Sequence, residues 1–299
     1  MTLQIDGVSK TYPNGVQALR DVSLTIPLGL FGLLGPNGAG KSTLMRTLAT
    51  LQDPDTGTVR LGEIDVVRQK DEVRKTLGYL PQDFGVYPDA TAERLLDHFA
   101  VLEGITERSA RREVVEALLR QTNLWEKRSQ KLGGFSGGMR QRFGVAVALL
   151  GDPRLMIVDE PTAGLDPAER VRFLNLLARL GRRSVVLLST HIVEDVADLC
   201  PRMAVIDRGE ILFEAVPSEA VAAVRGRIWS RTVDDELEDV DRDHEVLSTR
   251  LAGGRTTVHV YADESPGADF VPVEPDLKDV YFSVLAGHVG RSALSTVGA

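Results

Sequence analysis

The sequence predicts an α/β fold, a largely parallel, helix-covered sheet carrying a helical insertion and a small α+β appendage. Three observations predict it. Short apolar runs alternate with helix-spaced segments through about residue 213, the order that places crossover helices between parallel strands. Over residues 83–135 the strand signal vanishes, and Leu95, Leu96 and Phe99, then Val114, Leu118 and Leu119, recur at helical spacing. Beyond about Ala215 the composition changes to an acidic run, two strand-like runs and one amphipathic helix.

In chain order the expected strands are residues 3–8, 22–26, 30–34, 58–61, 77–80, 155–158, 184–188 and 204–206, each rich in apolar or β-branched side chains. A helical run at 43–51 follows the third strand. In the appendage, residues 246–251 and 256–261 flank Gly253-Gly254 as a hairpin would. The last helix is entered through Pro275 and Asp276, and Leu277, Val280, Tyr281, Val284 and Leu285 form one apolar stripe that needs a partner surface. That surface is expected on the larger domain of the same chain or of a second copy. The division that follows is a main domain at 1–215 with its insertion at 83–135, an accessory domain at 216–286, and a flexible tail at 287–299.

Composition narrows the class. The chain has 299 residues, 43% hydrophobic and 26% charged, which is ordinary globular usage and excludes collagen-like, coiled-coil and wholly disordered readings. No apolar run approaches the roughly 18 residues of a membrane-spanning helix, so any membrane role must come through a partner. The first residues lack a basic start followed by an apolar stretch, and the single cysteine cannot form an internal disulfide; both lead us to expect a cytoplasmic protein. A net charge of −8 argues against a general polyanion-binding surface, and so against nucleic acid. Most of that charge comes from the acidic residues of 234–245, where a solvated segment is expected because like charges at that density resist burial.

The chemistry is concentrated in Gly35-Pro36-Asn37-Gly38-Ala39-Gly40-Lys41-Ser42, a full G-x-x-x-x-G-K-S between an apolar strand and a helix opening at Thr43. Glycines let backbone N–H groups turn toward phosphates without a Cβ in the way, and the helix start favours the anion. Lys41 would reach the β and γ phosphates, and Ser42 would offer its hydroxyl to Mg²⁺. Mg²⁺ requires more oxygen ligands, and hydrolysis needs a group to orient water. The apolar run 155–158 ending in Asp159-Glu160 supplies both. Asp159 would hold the metal, and Glu160 would polarise the attacking water.

With these elements in place, residues 1 to about 215 resemble the ATP-binding cassette (ABC) ATPase family. Phe135-Ser136-Gly137-Gly138-Met139 is similar to that family's signature motif, departing from the commoner Leu-Ser-Gly-Gly-Gln at Phe135 and Met139. The resemblance implies a P-loop NTPase cassette with an N-terminal antiparallel β subdomain, ATP and Mg²⁺ as ligands, and two copies paired head to tail. Ser136, Gly137 and Gly138 of one copy would cap the γ-phosphate held by the other. It further implies that Gln82, in Gly78-Tyr-Leu-Pro-Gln82, touches Mg²⁺ or water and that His191 stabilises charge during transfer. Gly164-Leu165-Asp166 would cross the pair's interface, and Tyr12 would stack on adenine.

The resemblance points to the ATPase subunit of a transporter whose polytopic membrane permease is a separate chain, docked through residues 83–135, which would hold the protein at the inner face of the membrane. The stretch 79–88, Tyr79-Leu-Pro-Gln-Asp-Phe-Gly-Val-Tyr-Pro88, and the late Glu274-Pro-Asp-Leu-Lys-Asp-Val-Tyr281 are similar to cassettes of bacterial exporters of antibiotics and other hydrophobic compounds. The competing class is a soluble clamp that uses the same cassette in a non-transport assembly such as iron–sulfur scaffold formation. A GTP switch would require an Asn-Lys-x-Asp reader, and the sequence has none.

Overall fold

The computed structural model describes residues 1–82, 84–162, 164–233, 246–252 and 255–290. The acidic run at 234–245, Gly253-Gly254 and residues 291–299 of the expected tail lie outside the described residues.

Strands β1 (Thr2–Thr11), β2 (Gln17–Pro27), β4 (Thr56–Leu61) and β5 (Ile64–Asp65) form an antiparallel sheet in the order β2-β1-β4-β5. The central sheet runs β10-β9-β3-β8-β7-β6, from β3 (Gly29–Leu34), β6 (Leu77–Leu80), β7 (Leu155–Asp159), β8 (Val185–Thr190), β9 (Arg202–Asp207) and β10 (Glu210–Ala215). All its pairings are parallel except that of β9 with β10. The expected strands of the main domain are thus present, and β10 adds an antiparallel edge not anticipated from sequence. β7 and β8 are buried at every position, which explains why they read as unbroken apolar runs rather than alternations.

Alternate residues of the central strands feed two cores, because successive side chains point to opposite faces. Leu33, Leu155, Ile157, Val185 and Leu187 pack with the antiparallel sheet and with α1 (Lys41–Leu48). Leu34, Met156, Val158, Val186 and Leu188 pack on the other side against α3 (Ala92–Leu102), α4 (Arg108–Gln121), α5 (Gly137–Ala148), α6 (Pro167–Leu180) and α7 (Val193–Leu199). The short α2 (Lys70–Arg74) leads into β6. Helices α3 and α4 occupy the expected insertion. The approach of α5 to β6 is close: a Cβ at Gly78 would lie 2.4 Å from the Ala148 carbonyl oxygen.

After β10 comes α8 (Pro217–Ala223), then a sheet in the order β12-β13-β11-β14, built from β11 (Ile228–Val233), β12 (Val246–Ala252), β13 (Arg255–Tyr261) and β14 (Val271–Pro272). The hairpin read from sequence is the β12–β13 pair, and β11 and β14 extend it. Helix α9 (Leu277–Leu285) starts at Asp276, whose side chain accepts from the Lys278 and Asp279 N–H groups while Asp279 accepts from the Asp276 N–H. This capping box fixes the start of the helix. Leu277, Val280, Tyr281 and Val284 are buried in the same core as Val196, Cys200 and Phe213, and Lys278 pairs with Glu194 on α7. The partner surface of the apolar stripe therefore includes the same chain's α7. Past α9, Val289 is buried and His288 stacks on Tyr261 with ring centroids 4.9 Å apart.

Leu277→Ala removes a side chain 4% exposed from this seam and is expected to destabilise the protein by about 2–4 kcal/mol. Chemical unfolding measures it, and an unchanged midpoint would contradict the packing.

Candidate functional site

Four parallel strands deliver their C-terminal ends to one edge of the central sheet. Leu34 pairs with Thr190, Asp159 with Ser189, and Leu80 with Val158. Across the edge the chain therefore presents Gly35 and the loop after β3, His191 after β8, Asp159-Glu160 at β7, and Gln82 after β6. This crevice is where parallel α/β sheets bind ligands. A cleft of about 310 Å³ opens there, lined by Pro36, Asn37, Gly38, Ala39, Gly40, Lys41, Ser42, Thr43, Gln82 and Glu160.

The loop takes its shape from positions where only glycine fits easily. Gly38 and Gly40 have φ of 82° and 107°, and a Cβ at Gly40 would lie 2.5 Å from the Ala18 carbonyl oxygen. At Gly35 a Cβ would come within 2.4 Å of the Ile206 carbonyl oxygen. Lys41 opens α1 but its side chain folds back into the loop, donating to the carbonyls of Gly35 at 2.7 Å and Pro36 at 3.1 Å. Its Nζ lies 3.3 Å from Glu160 Oε1, and its side chain is only 4% exposed. A buried ammonium needs such partners, and phosphate oxygens would replace them.

Glu160 is the junction of the site. His191 Nδ1 is 3.3 Å and the Gln82 side-chain nitrogen 3.4 Å from its Oε2. Its backbone lies in the left-handed region at φ 45°, a conformation that costs a non-glycine residue on the order of 1 kcal/mol. The Glu160 N–H donates to the Ser189 carbonyl at 3.0 Å, which holds the turn. Asp159, 4% exposed, accepts a short hydrogen bond from the Ser189 hydroxyl. Burial, and then the Asp159 carboxylate, raise the pKa of the nearby Tyr79 hydroxyl. Ser189 was missed from sequence because a serine inside an apolar strand carries no signal until its register with Asp159 is known.

Tyr12 reaches the same neighbourhood: its hydroxyl is 3.2 Å from Thr43 Oγ1 and donates to Gln52 Oε1 at 3.2 Å. Ser136, Gly137 and Gly138 are placed elsewhere. None of them lines the cleft of their own chain. Ser136 caps α5, accepting the Met139 N–H at 3.2 Å, and is exposed together with Gly137. A Cβ at Gly138 would fall 2.6 Å from Glu169 Oε2, and Arg142 of α5 pairs with Glu169 at 3.0 Å, so α5 lies tightly on α6. Phe135 and Met139, the two departures from the signature pattern, pack in or against the core. Ser136 and Gly137 face outward, Gly138 is buried against α6, and the unusual residues face inward. Asp166 caps α6 by accepting the Glu169 N–H at 2.9 Å.

A sequence-family model described as ABC transporter matches residues 19–163. The chain is 34% identical over 237 residues to the uncharacterized ABC transporter ATP-binding protein YxlF of Bacillus subtilis, covering 79% of this chain and 78% of that protein. It is 32% identical over 306 residues to the daunorubicin/doxorubicin resistance ATP-binding protein DrrA of Streptomyces peucetius, covering 99% of this chain and 90% of that one. Among solved structures, a dimeric ATP-binding cassette in a post-hydrolysis state with ADP and Pi superposes with a TM-score of 0.65 at 27% identity, covering 72% of this chain and 98% of that chain.

Gly40→Ala is expected to strain the loop, because the added Cβ meets the Ala18 carbonyl, and to weaken ATP binding by roughly tenfold or more, on the order of 1.4 kcal/mol. Titration with a fluorescent ATP analogue measures this; wild-type affinity would remove the loop from the binding site.

Proposed function

The chain belongs to the ATP-binding proteins of the ABC transporter family, ATPases that work with membrane components and as dimeric cassettes, and we propose that it powers an exporter of drugs, antibiotics or other hydrophobic compounds. The observation that carries the mechanism is the convergence of Lys41, Gln82 and His191 on Glu160 at the mouth of the phosphate loop. In the proposed roles, the backbone of Gly35, Pro36, Asn37, Gly38, Ala39 and Gly40 cradles the phosphates, Lys41 neutralises them, and Thr43 and Tyr12 border the nucleotide, with Tyr12 stacking on adenine. Glu160 orients and polarises the attacking water, and His191 stabilises charge on the transferred phosphoryl group.

The donor set suits Mg²⁺. Ser42, Asp159 and Gln82 offer hydroxyl, carboxylate and amide oxygens, the ligand chemistry of a hard cation. Among the described residues no three His, Cys, Asp or Glu side chains converge as a protein-only cage, as suits an ion that keeps water and substrate phosphates in its shell. Bound there, Mg²⁺ would neutralise charge on the β and γ phosphates; the chain's own part is to orient the ligands and the water.

The exposed Ser136 and Gly137 at the start of α5 support a head-to-tail homodimer in which each copy completes the other's site. Among the described residues no helix is long and apolar enough to cross a membrane. In this reading a separate polytopic permease, docked on residues 83–135, supplies the transport path and holds the ATPase at the inner face of the membrane, with no role for nucleic acid. We assign residues 1–215 to the cassette and 216–286 to an accessory domain. The similarity to the Streptomyces peucetius resistance protein extends over 99% of this chain, appendage included, which supports an export role over a non-transport clamp.

Glu160→Gln is expected to lower the ATPase rate by roughly 100-fold or more while ATP still binds, so that an ATP-dependent dimer accumulates in size-exclusion chromatography with light scattering. Near-normal hydrolysis would overturn the mechanism. Deleting the gene in its native host is expected to reduce tolerance to hydrophobic antibiotics, and loss of nutrient uptake instead would overturn the direction of transport.

A further inference from the structure

Behind the cleft one carboxylate is wholly buried: Asp195, in the first turn of α7, is 0% exposed. Its Oδ2 accepts the Thr162 hydroxyl at 2.6 Å and, over a longer 3.5 Å, that of Thr190. Its Oδ1 accepts Arg170 Nε at 2.5 Å. The three partners come from three parts of the chain. Thr162 stands two residues after Glu160, Thr190 directly precedes His191, and Arg170 lies on α6 just past the loop through Gly164, Leu165 and Asp166.

We propose that Asp195 is a positioning residue for ATP hydrolysis, a buried anchor that holds the Glu160 and His191 segments in register and ties the start of α6 to them. This rests on the roles assigned above to Glu160 and His191.

A carboxylate withdrawn from water remains charged only when it is paired and hydrogen-bonded. Here Arg170 supplies the opposite charge and the Thr162 hydroxyl a hydrogen bond of 2.6 Å. Moving any one of the joined segments would leave a buried charge short of a partner, so the segments are expected to move together. The anchor reaches both sides of His191, because Thr190 Oγ1 also accepts the Ile192 N–H at 3.0 Å. It reaches the loop through the Leu165 N–H, which donates to the Thr162 carbonyl at 3.2 Å. Burial, and then the Asp195 charge, push the Cys200 thiol up to about 12. Misplacing reacting groups by about an ångström can cost on the order of a hundredfold in rate, so a bridge acting on both Glu160 and His191 is placed to control turnover.

Thr162 gives a test that leaves the buried charge in place. Thr162→Val keeps the volume and loses the donor; Thr162→Ser keeps the donor. In the full-length protein we expect Thr162→Val to lower kcat about tenfold, the loss of one hydrogen bond to a charged group. KM for ATP and the affinity for a fluorescent ATP analogue should stay within about twofold, and Thr162→Ser should recover most of the lost kcat. Equal kcat in Thr162→Val and wild type, or equal impairment of the Val and Ser variants, would overturn the inference. Glu160→Gln run in parallel separates the two levels: if it is inactive while Thr162→Val is normal, only the anchor fails, and if it hydrolyses ATP normally, the assigned mechanism fails and the anchor with it.

Discussion

The site depends on the parallel register of β3, β8, β7 and β6. Because these strands run the same way and are paired almost to their ends, four loops that are distant in sequence leave the sheet side by side. Every distance around Glu160 follows from that alignment. A one-residue slip of β7 against β8 would turn its side chains to the opposite face, separate Asp159 from Ser189, and point Glu160 away from Lys41. Full burial of β7 and β8 makes such a slip costly, since it would exchange side chains of different shape between two cores that are both already packed.

The same register accounts for the part of the proposed site that one chain carries. The cleft supplies a cradle, a lysine, a carboxylate pair and a histidine, all on the edge of the central sheet. The proposed second anion-binding element, at the start of α5, is fixed to a different part of the molecule: Gly138 lies against Glu169, and Arg142 pairs with that same glutamate. Packing α5 this tightly on α6 leaves Ser136 and Gly137 at the surface, outside their own chain's cleft. A surface hydroxyl at a helix start, with glycine amides beside it, is suited to an anion presented from outside. In the proposed head-to-tail pair, a second copy would present one.

Much of the fold and the cleft was legible because it rests on local pattern. The expected strands of the main domain, the glycine loop and the Asp159-Glu160 strand end all have signatures that survive without knowledge of the partner element. The insertion was equally legible, since its helices show their own spacing. What escaped was set by tertiary register. β14 is two exposed residues, β10 is a six-residue strand at the edge of its sheet, and β11 is a six-residue strand whose partners lie farther along the chain. Ser189 matters only because β8 lies beside β7. Asp195 follows Glu194 in a short helix, and nothing in the pair says which acid is buried; the structure gives Asp195 to Arg170 and Thr162, and Glu194 to exposed Lys278. Tyr12 was marked only by the family resemblance, as the aromatic that would stack on adenine, whereas its hydroxyl contacts with Thr43 and Gln52 required the fold.

The contrast between Glu194 and Asp195 also shows how the appendage and the catalytic edge meet. Helix α7 is only seven residues long, too short to be stable by itself, yet it must keep a carboxylate in the interior. It is held from both sides. Toward the cleft, Asp195 binds Thr162 and Arg170; away from it, Val196 and Cys200 share a core with Leu277, Val280 and Tyr281 of α9, and Glu194 pairs with Lys278. Removing water from Asp195 is unfavourable in itself, and the apolar contact between α7 and α9 is part of what offsets it. The amphipathic stripe that the sequence left without a partner thus lies against the helix that carries the buried carboxylate behind Glu160 and His191.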